Sequence, residues 1–203
     1  HKTASSYVTE RLRKNRTSLA AQRVSMDGDN NFLANSIAEK NYQPLEQALS
    51  GLSSDFQRIL ISSSSLDTRI LKRGVLTILR EMASSYGFKL GISYFIRDQQ
   101  SWLNSVYCHR VRRFRSTQDF QDYCQYIMHD STSWDISYPS KFSVLTECPE
   151  IIKMFLPLSR EVATTDPFLA LTSALGLQEP AGNGWLKGEP SKKNIQPGAK
   201  GIW

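Results

Sequence analysis

The sequence has 203 residues, a length that suits one domain, or one domain with a small appendage, and that can bury a sizeable core without covalent staples. Its 40% apolar and 22% charged residues are ordinary for a globular protein, and no run approaches the roughly 18 consecutive apolar residues of a transmembrane span, which is thereby excluded. The net charge of +6 favours acidic partners, a class that includes nucleic acid, an anionic membrane surface and acidic proteins.

The cysteines Cys108, Cys124 and Cys148 are odd in number and contain no C-x-x-C pair. This pattern argues against a disulfide framework and predicts an intracellular, reducing compartment, either the cytoplasm or the interior of an organelle. The first residue is His1 rather than Met, from which we expect a fragment or a chain processed at its N-terminus.

Charge is distributed in blocks along the chain. The net charge is +5 for residues 1–25, −4 for 26–68, +8 for 69–116, −6 for 117–186 and +3 for 187–203. Opposite blocks either face each other and neutralise after folding or form separate patches, and the pattern favours partial neutralisation.

The N-terminal segment 6–24 has the pattern of an amphipathic helix. Its expected inward residues are Val8, Leu12, Leu19 and Val24. A turn-rich cluster follows, in which Asp29 or Asn30 can cap a helix over 32–39. We expect further short helices over 45–48, between Pro44 and Gly51, and over 55–61.

The clearest helical pattern covers residues 65–87, with Ser65 as the expected N-cap and Gly87 as a left-handed residue at the C-terminal end. Its expected inward residues are Leu71, Val75, Ile78 and Met82. Residues 88–96 then alternate as in a strand, and the segment WDISY at 134–138 predicts a second, weaker strand.

Residues 107–116 read YCHRVRRFRS, with four arginines, one histidine and no acidic residue. A helix over 98–115 sorts these residues better than a strand does. The apolar face of that helix consists of Leu103, Tyr107, Val111 and Phe114. We expect a second helix, opened by Ser116 or Thr117, which buries Phe120, Cys124 and Ile127.

These two helices do not match a DNA-binding helix-turn-helix. In that motif the second helix enters the major groove, but here it carries Asp119, Asp122 and Asp130, which phosphates would repel. The arginines lie at the C-terminal end of the first helix, where each cation offsets the helix dipole by about 0.3–1 kcal/mol. Three interpretations remain: a solvated or internally paired face, a docking surface for an acidic protein, and a contact with nucleic-acid phosphates.

Near the C-terminus, DPFLALTSALG predicts a helix with Asp166 as cap, Pro167 in the first turn and Gly176 at the end. The last 26 residues hold three prolines, five glycines and four lysines, and they cannot form a core of their own. We therefore expect a globular helical domain over 1–177 and an extended or disordered basic tail over 178–203. The predicted fold class is mainly α, or α+β with a small sheet around 88–96 and 134–138.

Two segments, DGDNNFLANSIAE at 27–39 and FQDYCQYIMHDSTSW at 120–134, are similar to parts of ovarian-tumour-type cysteine proteases. The first resembles the D-G-D-C-L-F segment that begins the nucleophile helix of that family, and the second resembles its conserved helix followed by tryptophan. The resemblance implies a related fold with Asn30 at the position of the nucleophile. Because asparagine forms no thiolate and no histidine follows His129, it also implies a catalytically inactive copy.

Metal motifs are incomplete. Asp27, Asp29 and Asn31 have the spacing of the first EF-hand ligands, but Phe32 and Ala38 stand where glycine and glutamate are needed. The cysteines and their neighbouring histidines lack the close ligand pair of a structural zinc site. We expect no cofactor, and we find no intact catalytic constellation that would indicate an enzyme.

The sequence thus favours a non-enzymatic binding or assembly protein that docks onto an anionic partner. That partner is either an acidic protein in a larger complex or, as the alternative, nucleic acid. The residues expected to contact it are Arg11, Arg13, Lys14, Arg16, His109, Arg110, Arg112, Arg113, Arg115, Trp185, Lys192, Lys193 and Trp203.

Overall fold

The computed structural model describes residues 5–26, 32–52, 55–112, 117–129, 137–158, 166–182 and 184–187. Over these residues the protein is mainly α-helical and contains two small parallel sheets, as the sequence predicts for the fold class.

The helices are α1 Ser5–Lys14, α2 Arg16–Ala21, α3 Phe32–Ala38, α4 Gln43–Ser50, α5 Asp67–Ile70, α6 Arg73–Ser85, α7 Gln99–Arg112, α8 Phe120–His129, α9 Tyr138–Thr146 and α10 Pro167–Ala174. The strands are β1 Val24–Met26, β2 Arg58–Leu60, β3 Gly91–Arg97 and β4 Ile152–Leu158. A single 3-10 turn, Ser64–Leu66, precedes α5. Among the described helices, none combines the length and the apolar character that crossing a membrane requires.

Each sheet consists of two parallel strands within the described residues. β1 pairs with β2, and β3 pairs with β4 in a register that runs from Gly91 opposite Ile152 to Arg97 opposite Leu158. On one face of the longer sheet, the rings of Tyr94 and Phe155 lie 4.9 and 5.0 Å from that of Phe142 in α9. The strands thereby hold α9 against the sheet.

Three hydrophobic clusters form the core. The first joins α1, α2 and α10 to β4 and includes Trp185, the second joins α3, α4 and α6, and the third joins α6, β3 and α9. Phe95 of β3 packs against the first cluster and Ile92 belongs to the third. Because successive side chains of a strand point to opposite faces, β3 connects two clusters.

Several predicted helix ends are confirmed. Gly87 and Gly176 have φ values of +77° and +66°, the left-handed conformation that ends a helix without a penalty from Cβ. The Asp166 carboxylate accepts a hydrogen bond of 2.8 Å from the Phe168 N–H and so caps α10. Pro44 lies in the first turn of α4, and Gly51 is its C-terminal cap.

Three predicted segments have a different structure. The helix expected over 6–24 is divided at Asn15 and ends at Ala21, and its last expected residue, Val24, begins β1. The helix expected over 55–61 is wrong, because Arg58–Leu60 forms the strand that pairs with β1. The helix expected over 65–87 is interrupted at Leu71 and Lys72, where the backbone leaves the helical conformation.

The interruption before α6 rotates the inward face of that helix. Val75 is buried as expected, but Ile78 is 41% exposed, and Leu76, Leu79 and Ala83 are buried instead. The strand expected over 134–138 is wrong at Tyr138, because this residue begins α9. The strand that pairs with β3 is β4. The expected caps Asp29 and Asn30 and residues 134–136 lie outside the described residues.

Candidate partner-binding surface

Helices α7 and α8 pack against each other as a helical hairpin. Among the described residues, the three core clusters include no side chain from either helix. The hairpin has its own buried residues, which are Ser105, Cys108, Tyr123 and Ile127. We refer to α7 and α8 with residues 117–119 as the α7–α8 hairpin. Its surface can therefore engage a partner without disturbing the main core.

Aromatic rings hold the two helices together. The ring of Tyr107 lies 5.1 Å from that of Phe120 and 5.4 Å from that of Tyr123, both in α8. The Tyr107 hydroxyl donates a hydrogen bond of 2.8 Å to the Gln118 carbonyl, and burial raises its pKa further above neutral pH. Asp119 caps α8 by accepting a hydrogen bond of 2.8 Å from the Asp122 N–H.

The C-terminal end of α7 is basic. The Arg110 guanidinium lies over the ring of Tyr123, 5.4 Å from its centroid, so part of its charge is used within the hairpin. Arg112 is exposed and His109 is partly buried. The predicted contacts Arg113 and Arg115 lie outside the described residues. Of the arginine-rich stretch, Arg112 is the cation that the structure places most clearly at the surface.

Exposed apolar side chains occur along α8. Tyr126 is 57% exposed, Met128 is 74% exposed and Phe120 is 39% exposed. Aromatic residues, methionine and arginine are enriched at the centres of protein–protein interfaces. The α7–α8 hairpin therefore combines the residue types that most often bind another protein.

The expected inward faces of the two helices are correct in part. Leu103, Tyr107 and Val111 are partly buried, and Ile127 is buried. The prediction that Phe120 is buried is wrong, because its side chain is 39% exposed although its ring contacts that of Tyr107.

The sequence-based prediction of burial in α8 also differs from the structure at two further side chains. Tyr123, which the sequence interpretation missed, is 2% exposed and takes the central position. Cys124 is only partly buried. A helical wheel that allows a tyrosine to face inward would have found Tyr123.

The N-terminal helix provides fewer exposed cations than expected. Arg11 is 3% exposed, which corrects its assignment to a partner surface. Its guanidinium forms an ion pair with Asp166 and donates a 2.9 Å hydrogen bond to the Tyr7 hydroxyl. It also stacks on the ring of Phe168, 4.4 Å from the centroid. The charge of Arg11 thus stabilises the fold.

Residues 184–187 pack against the same helix. The buried Asn15 side chain accepts a hydrogen bond of 2.7 Å from the Leu186 N–H and donates one of 2.9 Å to the Leu186 carbonyl. Trp185 is 5% exposed and its ring meets that of Phe168 edge-on at 5.3 Å. Trp185 is therefore a core residue, which corrects its assignment as a partner contact. The single break of the N-terminal helix at Asn15 places its amide for this interaction.

The other expected cations divide into two groups. Arg13, Lys14 and Arg16 are exposed, and the Lys14 ammonium lies 3.3 Å from a Glu10 carboxylate oxygen. Lys192, Lys193 and Trp203 lie outside the described residues. Exposed basic side chains of the N-terminal helices therefore remain as a second, smaller group of predicted contacts.

Reactive and metal-binding groups are less prominent. Burial raises the pKa of the Cys124 thiol, which lowers the thiolate fraction that nucleophilic chemistry needs. The three cysteines are unpaired. Within the described part of the chain, His, Cys, Asp and Glu side chains do not gather into a group of three that could hold a metal ion. Asn30, at the nucleophile position implied by the protease resemblance, lies outside the described residues.

Comparison of the chain with protein-family models, with curated proteins and with solved structures finds no match. The resemblance to ovarian-tumour-type proteases therefore rests on the two quoted segments alone. The function has to be argued from the surface of the chain itself.

Proposed function

We propose that this protein is a non-enzymatic binding protein whose α7–α8 hairpin docks onto an acidic protein partner. The observations that carry the proposal are the exposure of Arg112 on α7 and of Tyr126 and Met128 on α8, in a hairpin that contributes nothing to the core clusters of the described residues. The aromatic and thioether groups would supply buried area, and the basic end of α7 would supply charge complementarity.

Two features favour a protein over nucleic acid. Asp119 and Asp122 lie at the start of α8, close in sequence to the basic end of α7, and their carboxylates would repel phosphates. The exposed groups of α8 include Met128 and Phe120, whose side chains bury apolar surface and form no hydrogen bond with a phosphate. Nucleic-acid binding remains the alternative, and it predicts an affinity that falls steeply with salt concentration.

The test is a binding titration by fluorescence anisotropy with three labelled probes: an acidic peptide of alternating glutamate and tyrosine, single-stranded RNA and duplex DNA. Arg112→Glu should lower the affinity for the acidic peptide about tenfold, because it reverses a charge at the interface. Lys40→Glu is the matched control, since Lys40 is exposed, lies after α3 and undergoes the same charge change.

Each outcome distinguishes the candidates. Tight binding of RNA or DNA that weakens steeply with salt would replace the proposal by the nucleic-acid alternative. Equal effects of the two charge reversals would show that net charge, and not the hairpin, attracts the probe. Absence of binding by all three probes at low salt would contradict an anionic partner.

A further inference from the structure

The longer sheet has two outer edges that differ in their chemistry. The Ile152 N–H donates a hydrogen bond of 3.0 Å to the Leu90 carbonyl, which fixes the direction of the backbone groups in both strands. Along a parallel strand these groups point alternately to one side and the other. In β4, Lys153, Phe155 and Pro157 therefore turn their backbone groups away from β3.

The outer edge of β4 is protected against pairing. Pro157 has no N–H to donate, and Lys153 places a charge on the same edge. Proline and lysine are the residues with which natural proteins prevent an exposed strand from pairing with another chain. An additional strand is therefore not expected beside β4.

The outer edge of β3 carries no proline, and its basic residues, Lys89 and Arg97, stand only at the two ends of this edge. By the same alternation, Gly91, Ser93 and Phe95 turn their N–H and carbonyl groups away from β4. Within the described ranges these six groups have no hydrogen-bond partner, and no helix or strand pairs along this side of β3. At the end of the strand the Tyr138 hydroxyl donates to the outward carbonyl of Arg97, so the open part of the edge ends there.

We propose that β3 receives an extended acidic segment of a partner protein as a third strand. Edge-strand addition gains affinity from main-chain hydrogen bonds and specificity from alternate side chains. The open edge lies between two cations, with Lys89 before Gly91 and Arg97 at the end. These charges select an acidic segment and oppose a second copy of this chain, because antiparallel pairing of two β3 strands would bring Arg97 of each copy close to Lys89 of the other.

A cavity of about 450 Å³ lies at the Arg97 end of this edge. Ile96, Pro157 and Leu158 give it apolar walls, and Arg97, Asp98, Gln99 and Tyr138 contribute polar groups. A side chain at one end of the added segment has room there, which would fix the register of the segment. This surface is distinct from the α7–α8 hairpin, and the inference does not depend on the function proposed for that hairpin.

Hydrogen exchange of the full chain measured by NMR tests the inference, with the peptide Glu-Glu-Val-Thr-Val-Thr-Val-Glu-Glu as the probe. In the free protein the Ser93 and Phe95 amides should exchange much faster than those of Tyr94 and Ile96, which bond to β4. Saturation with the peptide should slow exchange of Ser93 and Phe95 about tenfold or more, because their N–H groups gain acceptors.

Two variants at one position provide the matched control. Ser93→Pro removes an outward N–H but no bond to β4, and it should abolish the protection by the peptide. Ser93→Ala keeps the N–H and should bind as the wild type does. If Ser93→Pro fails to fold, exchange in the wild-type chain still decides the question.

Four results would overturn the proposal. The first is equal protection of Ser93 and Tyr94 in the free protein, which would mean that the edge is already covered. The second is protection that depends on protein concentration, which would identify a second copy as the occupant. The third is equal binding of a peptide with N-methylated alternate amides, and the fourth is equal binding of a peptide with lysines in place of the glutamates.

Discussion

Arg11 and Asp166 form the ion pair at which α1, α10 and residues 184–187 meet. The Arg11 side chain is 4% exposed and the Asp166 side chain 23% exposed. The Tyr7 hydroxyl also donates to Asp166 at 2.8 Å, and burial raises the pKa of Tyr7, so it remains a donor. Because a buried charge is costly without its partner, removal of either side chain is expected to destabilise the contact between α1 and α10.

Replacement of Arg11 by methionine keeps the apolar stem of the side chain but leaves Asp166 without its cation. We expect Arg11→Met to lower the free energy of unfolding by about 3 kcal/mol, as is typical when one partner of a buried pair is removed. Urea denaturation measures this change. Arg16→Met, on an exposed residue at the start of α2, should cost less than about 0.5 kcal/mol.

A double-mutant cycle measures the interaction energy between Arg11 and Asp166. Asp166→Asn preserves the carbonyl oxygen that caps α10, and its cost should be smaller in the Arg11→Met background than in the wild type. Additive costs would mean that the ion pair has no energetic role.

The partial burial of Cys124 should slow the reaction of its thiol with alkylating reagents. Burial raises the pKa of the thiol, and the thiolate is the reactive form, so alkylation by iodoacetamide should be slower at neutral pH than that of a free cysteine peptide. Its rate should continue to increase with pH beyond the value of about 8.5 at which an unperturbed thiol titrates. Mass spectrometry of Cys124 gives the rate, and a plateau below that pH would contradict the prediction.

At the scale of elements, the sequence is most informative where local chemistry determines a helix end. Asp166, Gly87 and Gly176 were predictable because capping and the left-handed conformation depend on a few neighbouring atoms. The strand Arg58–Leu60 was not, because its conformation depends on pairing with β1, 34 positions earlier in the register. Local patterns carry no information about such a distant partner.

In the candidate site, too, the features that depend on neighbouring residues were predictable, and those that depend on distant partners were not. The helical character of the arginine-rich stretch and the partial burial of Tyr107 followed from the spacing of apolar residues. The burial of Arg11 did not, because its position on the helix resembles that of an exposed cation and its partner Asp166 is 155 residues away. The buried amide of Asn15 escaped prediction for the same reason, since it bonds to Leu186.

Two glycines of the α6 region give opposite predictions. Gly87 has a φ of +77°, and an alanine there should destabilise the protein by about 1 kcal/mol through strain alone, because a Cβ would meet no atom within 4 Å. Gly74 lies in the first turn of α6 in equally open space, and Gly74→Ala should stabilise by up to about 1 kcal/mol. Thermal unfolding of both variants provides the test, and changes of the same sign would refute this explanation of the helix end.

At the scale of the whole molecule, opposite charge blocks are partly paired. Arg73 lies 3.4 Å from Glu147, and Arg80 lies 3.5 Å from Glu150, so two cations of α6 meet acids around the end of α9. Lys141 pairs with Asp67 at 2.8 Å and is the least exposed of these cations.

The packing of residues 184–187 predicts different effects of two truncations. A chain that ends at Leu177 loses Trp185 and the backbone bonds to Asn15, and its free energy of unfolding should fall by about 3–5 kcal/mol, as for removal of a buried aromatic ring. A chain that ends at Lys187 keeps these contacts and serves as the control. Trp185→Ala in the full chain should reproduce most of the loss, and an unchanged midpoint in urea for the shorter chain would show that this segment contributes nothing to stability.

The measurement that tests the central claim most directly is site-specific photo-crosslinking of the full chain under native conditions. A benzophenone amino acid replaces Tyr126 on the α7–α8 hairpin or, as the control, Ile78 on α6, which is an exposed apolar residue outside the hairpin. We expect a discrete crosslink to an acidic protein from position 126, weakened about tenfold by Arg112→Glu, and none from position 78. Equal crosslinking from both positions, or a crosslink from position 126 that Arg112→Glu leaves unchanged, would contradict the assignment of the hairpin as the docking surface.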